Sequence, residues 1–333
     1  MGKQERDCRF DTLKGILIFL VVLGHSLSKL QSSGMAVSRS ICYIIYSFHM
    51  PAFVFISGFF SKNALKSEQY SFQLVKSLLI PFVFAHLAMW MLTSRSPGEL
   101  LYPRWTLWYL LSLFFWKYLV VPASKVRCSI VISIGLALLI GLTQADKLLS
   151  ISRTVTFFPF FLAGYKTSRE TIDTLREKTH KAIPIFALLL VLSSVLLLRS
   201  KGVLRISIFE MATPYNSTGN MTNIQGLLSR CYAILIGFIS TFCLIIIVPD
   251  RKTLLTDLGK NTMTIYLGHS FVIVLTQMII SAVFSKLFSS EFAVICISVV
   301  LSCLICAILG NPWIATIYNK IVNKVSDYVL INH

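Results

Sequence analysis

Charge is scarce in this sequence. Only 14% of its 333 residues are charged, whereas soluble domains carry about 25%. Acidic residues are the scarcest, with 14 Asp and Glu against 31 Lys and Arg. The deficit excludes an ordinary soluble protein. The excess of basic residues does not indicate nucleic-acid binding, because these residues are dispersed over short segments rather than gathered on one face.

The sequence also has little that could bind a metal. Most of its 8 cysteines fall inside apolar runs, where cysteine behaves as a small hydrophobic residue. Cys303 and Cys306 form a C-x-x-C pair, but no second pair or histidine cluster accompanies it. A zinc or redox site is therefore not predicted.

Long apolar runs are abundant, and they recur from one end of the chain to the other. Their length of about 17 to 25 residues is what a helix needs to cross a bilayer. They are continuous rather than alternating, which excludes a membrane β-barrel. We therefore predict an all-α polytopic membrane helix bundle, forming one domain over residues 1–333. Its ten spans are expected at about 13–31, 41–61, 72–93, 105–122, 128–144, 151–166, 182–199, 227–248, 262–285 and 291–309.

The distribution of basic residues predicts the orientation of these spans. With both termini in the cytoplasm, 18 Lys and Arg lie on the cytoplasmic side and 10 on the opposite side. That split follows the positive-inside rule, and the basic loops would contact anionic membrane lipid. The first run is not expected to be cleaved as a signal peptide, because no small-residue cleavage site follows it.

The first span carries three residues with chemical potential, Asp11, Lys14 and His25. Lys14 and His25 are eleven residues apart, which puts them on one helix face and roughly 16 Å apart along the axis. Asp11 and Lys14 form an i, i+3 pair that can interact. This spacing suits a long donor with an anionic head near Lys14 and a reactive end near His25. It equally allows a structural histidine above a helix-end ion pair.

The second span carries His49, followed by Pro51 and Gly58. Proline and glycine inside a span free backbone groups, as happens beside cavities. With the predicted orientation, His49 lies roughly 12 Å below the outer surface and at a depth similar to that of His25. Two imidazoles at mid-membrane could build an active site if the two helices face each other.

Several motifs resemble the acyltransferase type 3 membrane family, and in particular its fucose 4-O-acetylase-like members. The two N-terminal motifs are R-x-D-x-x-K-G with V-V-L-G-H, and F-H-M-P-x-F-x-F-I-S-G. Further segments agree in the same order, W-T-L-W-Y-L, F-F-P-F-F-L-A-G-Y and L-G-K-N-T-M-T-I-Y-L-G-H. One position departs from the family pattern: Gln73 and Lys76 stand where members often carry an arginine pair, so bidentate phosphate recognition is lost there.

The resemblance implies acetyl-CoA as cytosolic donor, a carbohydrate acceptor at the cell surface and a bacterial cytoplasmic membrane. It also implies that His25 and Lys14 are needed for acetyl transfer. We therefore predict an O-acetyltransferase acting on capsule, O-antigen or exopolysaccharide, with no metal. The predicted site residues are His25, His49 and Asp11 for catalysis, Arg9, Lys14, Lys76 and His269 for the donor, and Ser57, Trp105 and Arg153 for the acceptor.

Purely structural roles would also explain three of these residues. Trp105 can belong to an interfacial aromatic belt, Arg153 can extend to the membrane surface, and His269 is placed only by its expected position near the donor entrance. A transporter or flippase for a lipid-linked sugar is the alternative function, because broken spans and buried histidines also suit alternating access. An inactive family member acting as an assembly partner is a third.

Overall fold

The computed structural model describes residues 7–32, 34–62, 70–93, 96–217, 221–283 and 290–330, and over these residues its regular structure is helical. The helices are α1 Cys8–Leu30, α2 Ala36–Phe59, α3 Tyr70–Leu74, α4 Ile80–Thr93, α5 Trp108–Ser124, α6 Ser129–Leu139, α7 Ile151–Lys166, α8 Arg169–Lys178, α9 Ala182–Ser200, α10 Ile206–Glu210, α11 Asn223–Ile247, α12 Leu254–Lys260, α13 Thr262–Val283, α14 Glu291–Leu309 and α15 Pro312–Val329. A π-helical turn, Val75–Leu79, joins α3 to α4, so that the chain is helical from Tyr70 to Thr93.

The protein is a polytopic helical membrane protein, as the apolar runs predict. Eight of the described helices are long and apolar enough to cross a membrane. The other two predicted spans, 105–122 and 128–144, coincide with α5 and with the shorter apolar helix Ser129–Leu142. The last residues of the predicted span 262–285 lie outside the described residues. The cytoplasmic location of both termini stays a prediction.

The helices group into two compact units, each assembled from separate stretches of the chain. Unit 1 comprises Met1–His49, Ile172–Ser200 and Ile239–Thr316, and unit 2 comprises Met50–Thr171, Lys201–Phe238 and Ile317–His333. The predicted single domain over residues 1–333 stays a prediction.

Helix α1 is the centre of unit 1, where it packs against α12, α13 and α14. Leu17, Ile18 and Val22 on α1 have no exposed surface, as expected where the apolar middle of a helix faces several neighbours. The helix begins where the side chain of Asp7 accepts a hydrogen bond from the backbone N–H of Arg9 at 3.0 Å, an N-cap that satisfies one of its free amides. The motif residues of the first span are thus carried by a helix that packs against three others in this unit.

Two glycines let α1 and α12 pack so closely that their backbones are in contact. A Cβ on Gly15 would lie 1.9 Å from the carbonyl oxygen of Leu255, and a Cβ on Gly259 would lie 1.7 Å from that of Asp11. Between them the hydroxyls of Thr12 and Thr256 share a hydrogen bond of 2.7 Å. Small residues at helix contacts in membranes allow this close packing. The contact joins the R-x-D-x-x-K-G motif to the L-G-K motif.

A similar contact organises unit 2, where α7 packs against the second half of α2 and against α5 and α6. A Cβ on Gly58 of α2 would lie 2.0 Å from the carbonyl oxygen of Phe161, and a Cβ on Gly164 of α7 would lie 1.9 Å from that of Phe55. Trp116 of α5 donates from its indole N–H to the carbonyl of Thr154 at 2.7 Å. The I-S-G and L-A-G motifs therefore meet through their glycines.

Candidate active site

Asp11 and Lys14 form an ion pair near the beginning of α1, as their spacing predicts. The Lys14 ammonium lies 2.6 Å from the Asp11 carboxylate, whose side chain is 6% exposed, while the Lys14 side chain is 23% exposed. A nearly buried carboxylate needs a charged partner, and Lys14 supplies it. The Lys14 side chain is thus less enclosed than the carboxylate with which it pairs.

Arg9 is surrounded by carboxylates from three parts of unit 1. Its guanidinium lies 3.1 Å from Asp7, 2.6 Å from Asp173 on α8 and 3.4 Å from Asp250 after α11. The sequence predicts that Arg9 binds the donor, yet the structure engages its positive charge with three acidic groups. In this arrangement Arg9 fixes the beginning of α1 to α8 and to the end of α11.

Arg176 lies beside this cluster and binds the end of α11. Its Nη1 donates to the carbonyls of Ile245 and Val248, at 2.7 and 2.9 Å. Burial lowers the pKa of the Arg176 guanidinium, and the nearby charge of Arg9 lowers it further. The last carbonyls of a helix have no intrahelical partner, so Arg176 acts as a side-chain cap for α11.

His25 lies between two aromatic side chains from other helices. Its imidazole centroid is 5.6 Å from that of His269 on α13 and 6.0 Å from the ring of Tyr46 on α2. His25 itself is half-buried, whereas His269 has no exposed surface. The sequence predicts His269 near the donor entrance, which stays a prediction, and the structure puts its ring against that of His25.

His49 approaches the same group from the other side of Tyr46. The rings of Tyr46 and His49 lie 5.3 Å apart, and His49 is 4% exposed. His25, Tyr46, His49 and His269, hereafter the imidazole cluster, thus bring together three histidines from α1, α2 and α13. Within the part of the chain that the structure describes, no group of three or more His, Cys, Asp or Glu residues could hold a metal ion.

The backbone fixes the tautomers of two of these rings. Nδ1 of His49 lies 2.7 Å from the carbonyl oxygen of Ile45, and Nδ1 of His269 lies 3.0 Å from that of Ile265. A carbonyl can only accept, so in each neutral ring Nδ1 carries the proton and Nε2 has a free lone pair. Both rings therefore present a hydrogen-bond acceptor. Near Nε2 of His269 the Ser270 hydroxyl lies at 3.5 Å, at the limit of a hydrogen bond.

Tyr46 is the site residue that the sequence analysis missed. Its hydroxyl donates to the carbonyl of Gly24 at 3.2 Å, and a Cβ on Gly24 would lie 2.9 Å from the Tyr46 ring. The glycine before His25 in the V-V-L-G-H motif therefore makes room for Tyr46. A signal was present, because Tyr46 precedes His49 by three residues and so shares its helix face.

The predicted acceptor residues all belong to unit 2. The Ser57 hydroxyl lies 2.6 Å from that of Tyr109. Arg153 donates from Nε to the carbonyl of Glu210 at 3.0 Å, and its guanidinium lies 4.9 Å from the centre of the Trp108 ring. The cation over the indole face of Trp108 is a favourable contact.

Trp105 and Lys76 both lie in unusual backbone segments. Trp105 has a φ of 50°, a left-handed conformation that bulky residues rarely adopt. Lys76 lies in the π-helical turn and forms an ion pair of 3.8 Å with Asp327. Strained backbone and π-helical turns occur often at functional sites, which keeps both residues as candidates.

Comparison with known proteins identifies the family. A family model described as an acyltransferase domain matches residues 9–310. Two curated relatives are both called nodulation protein NolL. The protein of Mesorhizobium japonicum is 38% identical over 98 residues, which cover 28% of this chain and 26% of the relative. The protein of Sinorhizobium fredii is 29% identical over 209 residues, which cover 56% of each chain.

The matches thus span about half the length of these relatives, or less. No solved structure matches the chain. The family model, in contrast, covers nearly the whole sequence, and it includes every predicted site residue from Arg9 to His269. The chain therefore belongs to the acyltransferase type 3 family.

Proposed function

We propose that the protein is an O-acetyltransferase that moves the acetyl group of cytosolic acetyl-CoA to a hydroxyl of a cell-surface carbohydrate. Its location would be the bacterial cytoplasmic membrane. The observation that carries this proposal is the half-buried imidazole of His25, held beside His269 and Tyr46 on the helix that also carries the Asp11–Lys14 pair. A base inside the bundle and a cation towards one end of the same helix suit a long anionic donor.

Lys14 is the better candidate for the donor phosphates than Arg9. Three carboxylates already surround Arg9, and they would repel a phosphate. Lys14 pairs with Asp11 and its side chain is partly exposed, and an ammonium can bind a phosphate as a point charge. Lys76 lies in unit 2 and is proposed as a further donor contact. Asp11 then positions Lys14, and Arg9 anchors the helix.

His25 is suited to the proton transfer that acetylation requires, because a neutral imidazole can accept a proton near neutral pH. As the acceptor oxygen bonds to the thioester carbonyl carbon, His25 takes the hydroxyl proton. The C–S bond then breaks, and the departing sulfur receives this proton from the imidazolium. The products are an O-acetyl ester and the free thiol of CoA, and His25 returns to its neutral form.

A covalent route uses the same residue. One ring nitrogen of His25 would first bond to the thioester carbonyl carbon; the C–S bond breaks, and the departing sulfur takes the proton of the other ring nitrogen. The acceptor oxygen would then bond to the acetyl carbon as the bond to His25 breaks, and the hydroxyl proton returns to the imidazole. His49 is proposed to assist the acceptor in either route, while Ser57, Trp105 and Arg153 supply polar and aromatic contacts of the kind that sugars use.

The test is transfer of labelled acetyl from acetyl-CoA to surface glycan in membranes of the producing host. Wild type is compared with His25→Ala and with His180→Ala, a matched control in which the exposed histidine between α8 and α9 is removed. We expect His25→Ala to abolish labelling at normal expression and His180→Ala to retain it.

Two outcomes would overturn parts of this proposal. Labelling that survives in His25→Ala would leave an acetyltransferase whose chemistry does not depend on His25. If wild type labels no glycan of its host, the acetyltransferase function fails. Movement of a lipid-linked sugar without acetyl-CoA would then support a transporter.

A further inference from the structure

His269 contacts His25, the proposed catalytic base, and this contact suggests that His269 orients the His25 ring. A catalytic base works best when a third group holds its ring in the productive orientation and tautomer. His25 has two ring nitrogens, and only one can face the reacting hydroxyl. The other nitrogen carries a proton, and its N–H requires a partner that accepts a hydrogen bond.

His269 has the properties of such a partner. Its Nδ1–H is committed to the carbonyl of Ile265, which leaves Nε2 as an acceptor, and the Ser270 hydroxyl reaches this Nε2 only at 3.5 Å. An N–H···N hydrogen bond between two imidazoles puts the ring centroids roughly 5 to 5.5 Å apart. The centroids of His25 and His269 lie 5.6 Å apart, just beyond that range, so a small shift of the half-buried His25 ring would complete the bond. His269 is fully buried, so its packing limits rotation of the ring.

We infer that His269 is a positioning residue for His25: its Nε2 accepts a hydrogen bond from the His25 ring, fixes the tautomer of that ring and stabilises its protonated form. The effect of His269 on catalysis rests on the proposed function, in which His25 is the base. The contact itself is independent of that function. It differs from a role in donor binding, because a residue that acts through His25 affects the transfer step rather than the affinity for acetyl-CoA.

The kinetic arm compares wild type with His269→Phe and His269→Gln in the labelled-acetyl assay. Phenylalanine keeps a planar ring but has no acceptor, whereas the glutamine side-chain carbonyl can accept from His25. We expect His269→Phe to lower the maximal rate by about a hundredfold, within the usual range for proton-transfer groups. The acetyl-CoA concentration for half-maximal rate should stay unchanged, and His269→Gln should recover at least part of the rate.

A rise in that half-saturating concentration with an unchanged maximal rate would instead assign His269 to donor binding and overturn the inference. Loss of rate in both variants to the same extent would also overturn it, because a purely steric role predicts no rescue by an acceptor. Protein amount and thermal stability in membranes are measured for each variant, so that rates refer to folded protein.

The spectroscopic arm needs no activity. Full-length protein labelled with ¹⁵N-histidine is examined in lipid bilayers, and the His25 signal is assigned by its loss in His25→Ala. We expect His269→Phe to shift the His25 ring nitrogens towards a mixture of tautomers, and His180→Phe to leave them unchanged. Unaltered His25 shifts in His269→Phe would overturn the contact even if acetyl transfer is shown. Shifts as expected without any acetyl transfer would retain the contact and reject the proposed function.

Discussion

The Cα of Gly259 faces the backbone carbonyl of Asp11 so closely that a Cβ would lie 1.7 Å from its oxygen. Gly259 is the glycine of the L-G-K motif, and Asp11 is the acidic residue of the R-x-D-x-x-K-G motif. Two family motifs that lie far apart in the sequence are therefore in direct backbone contact, and the position of the Asp11–Lys14 pair depends on α12.

Gly259→Ala should consequently separate α12 from α1. The added methyl group meets backbone rather than a movable side chain, so we expect a loss of about 1 to 3 kcal/mol or more. The measurement is the thermal stability of purified protein, followed by size-exclusion chromatography after heating. Gly135→Ala is the matched control, because nothing lies within 4 Å of the added Cβ in helix α6. Equal stability of the two variants would contradict the backbone contact.

Lys14→Gln should both destabilise the protein and lower its affinity for acetyl-CoA. It leaves the nearly buried Asp11 carboxylate without this cation, and breaking such a pair costs roughly 3 to 5 kcal/mol when it is fully buried. The partial exposure of Lys14 reduces that figure. The double variant Asp11→Asn/Lys14→Gln should recover much of the stability but none of the acetyl-CoA affinity. If the double variant also recovers donor affinity, Lys14 does not bind the donor.

Asp173→Asn distinguishes the two roles of Arg9. If Arg9 anchors α1 to α8, the substitution should leave the half-saturating acetyl-CoA concentration unchanged and cost at most about 1 kcal/mol, because the Asp173 side chain is 41% exposed. If Arg9 binds phosphate, removal of a competing carboxylate should strengthen donor binding. The measurement is the donor dependence of acetyl transfer, together with melting temperature, in parallel with wild type.

Ser57→Ala and Tyr109→Phe should be coupled in their effect on stability. Their hydroxyls lie 2.6 Å apart in unit 2, and a hydrogen bond of this kind contributes about 1 kcal/mol. The Ser57 hydroxyl also donates to the carbonyl of Phe53 at 2.9 Å. We therefore expect the double variant to lose less stability than the sum of the two single variants, because residues in contact are not additive. Additive losses in melting temperature would show that the two hydroxyls act separately.

The location of the helices could be predicted from the sequence because the length of an apolar run reports where a chain crosses lipid. The Asp11–Lys14 pair was predictable for a similar reason, since helical spacing is local. The rotation of one helix against another is not encoded in hydropathy. The contact of His269 with His25, and the role of Tyr46 between His25 and His49, were therefore accessible only from the structure.

Long-range charge contacts were equally out of reach. Asp173 and Asp250 lie far from Arg9 in the sequence, and no local pattern links a cation on α1 to a carboxylate on α8 or to one after α11. The same limit applies to Trp105 and Lys76. Pro103 precedes Trp105 by two residues and Pro81 follows the π-helical turn, but neither proline specifies a left-handed residue or a π-helical turn at these positions.

The partners that orient His49 and His269 are backbone carbonyls, and this protects both rings from most mutations. Replacing Ile45 or Ile265 by another apolar residue leaves the backbone carbonyl in place. The tautomers of His49 and His269 are therefore unaffected by the side chains at positions 45 and 265. Alanine scanning of the surrounding positions would therefore overlook what holds these imidazoles. The orientation of the two rings depends instead on the geometry of their helices. A change that bends α2 or α13 by a few degrees would rotate both the carbonyl and the ring that is hydrogen-bonded to it.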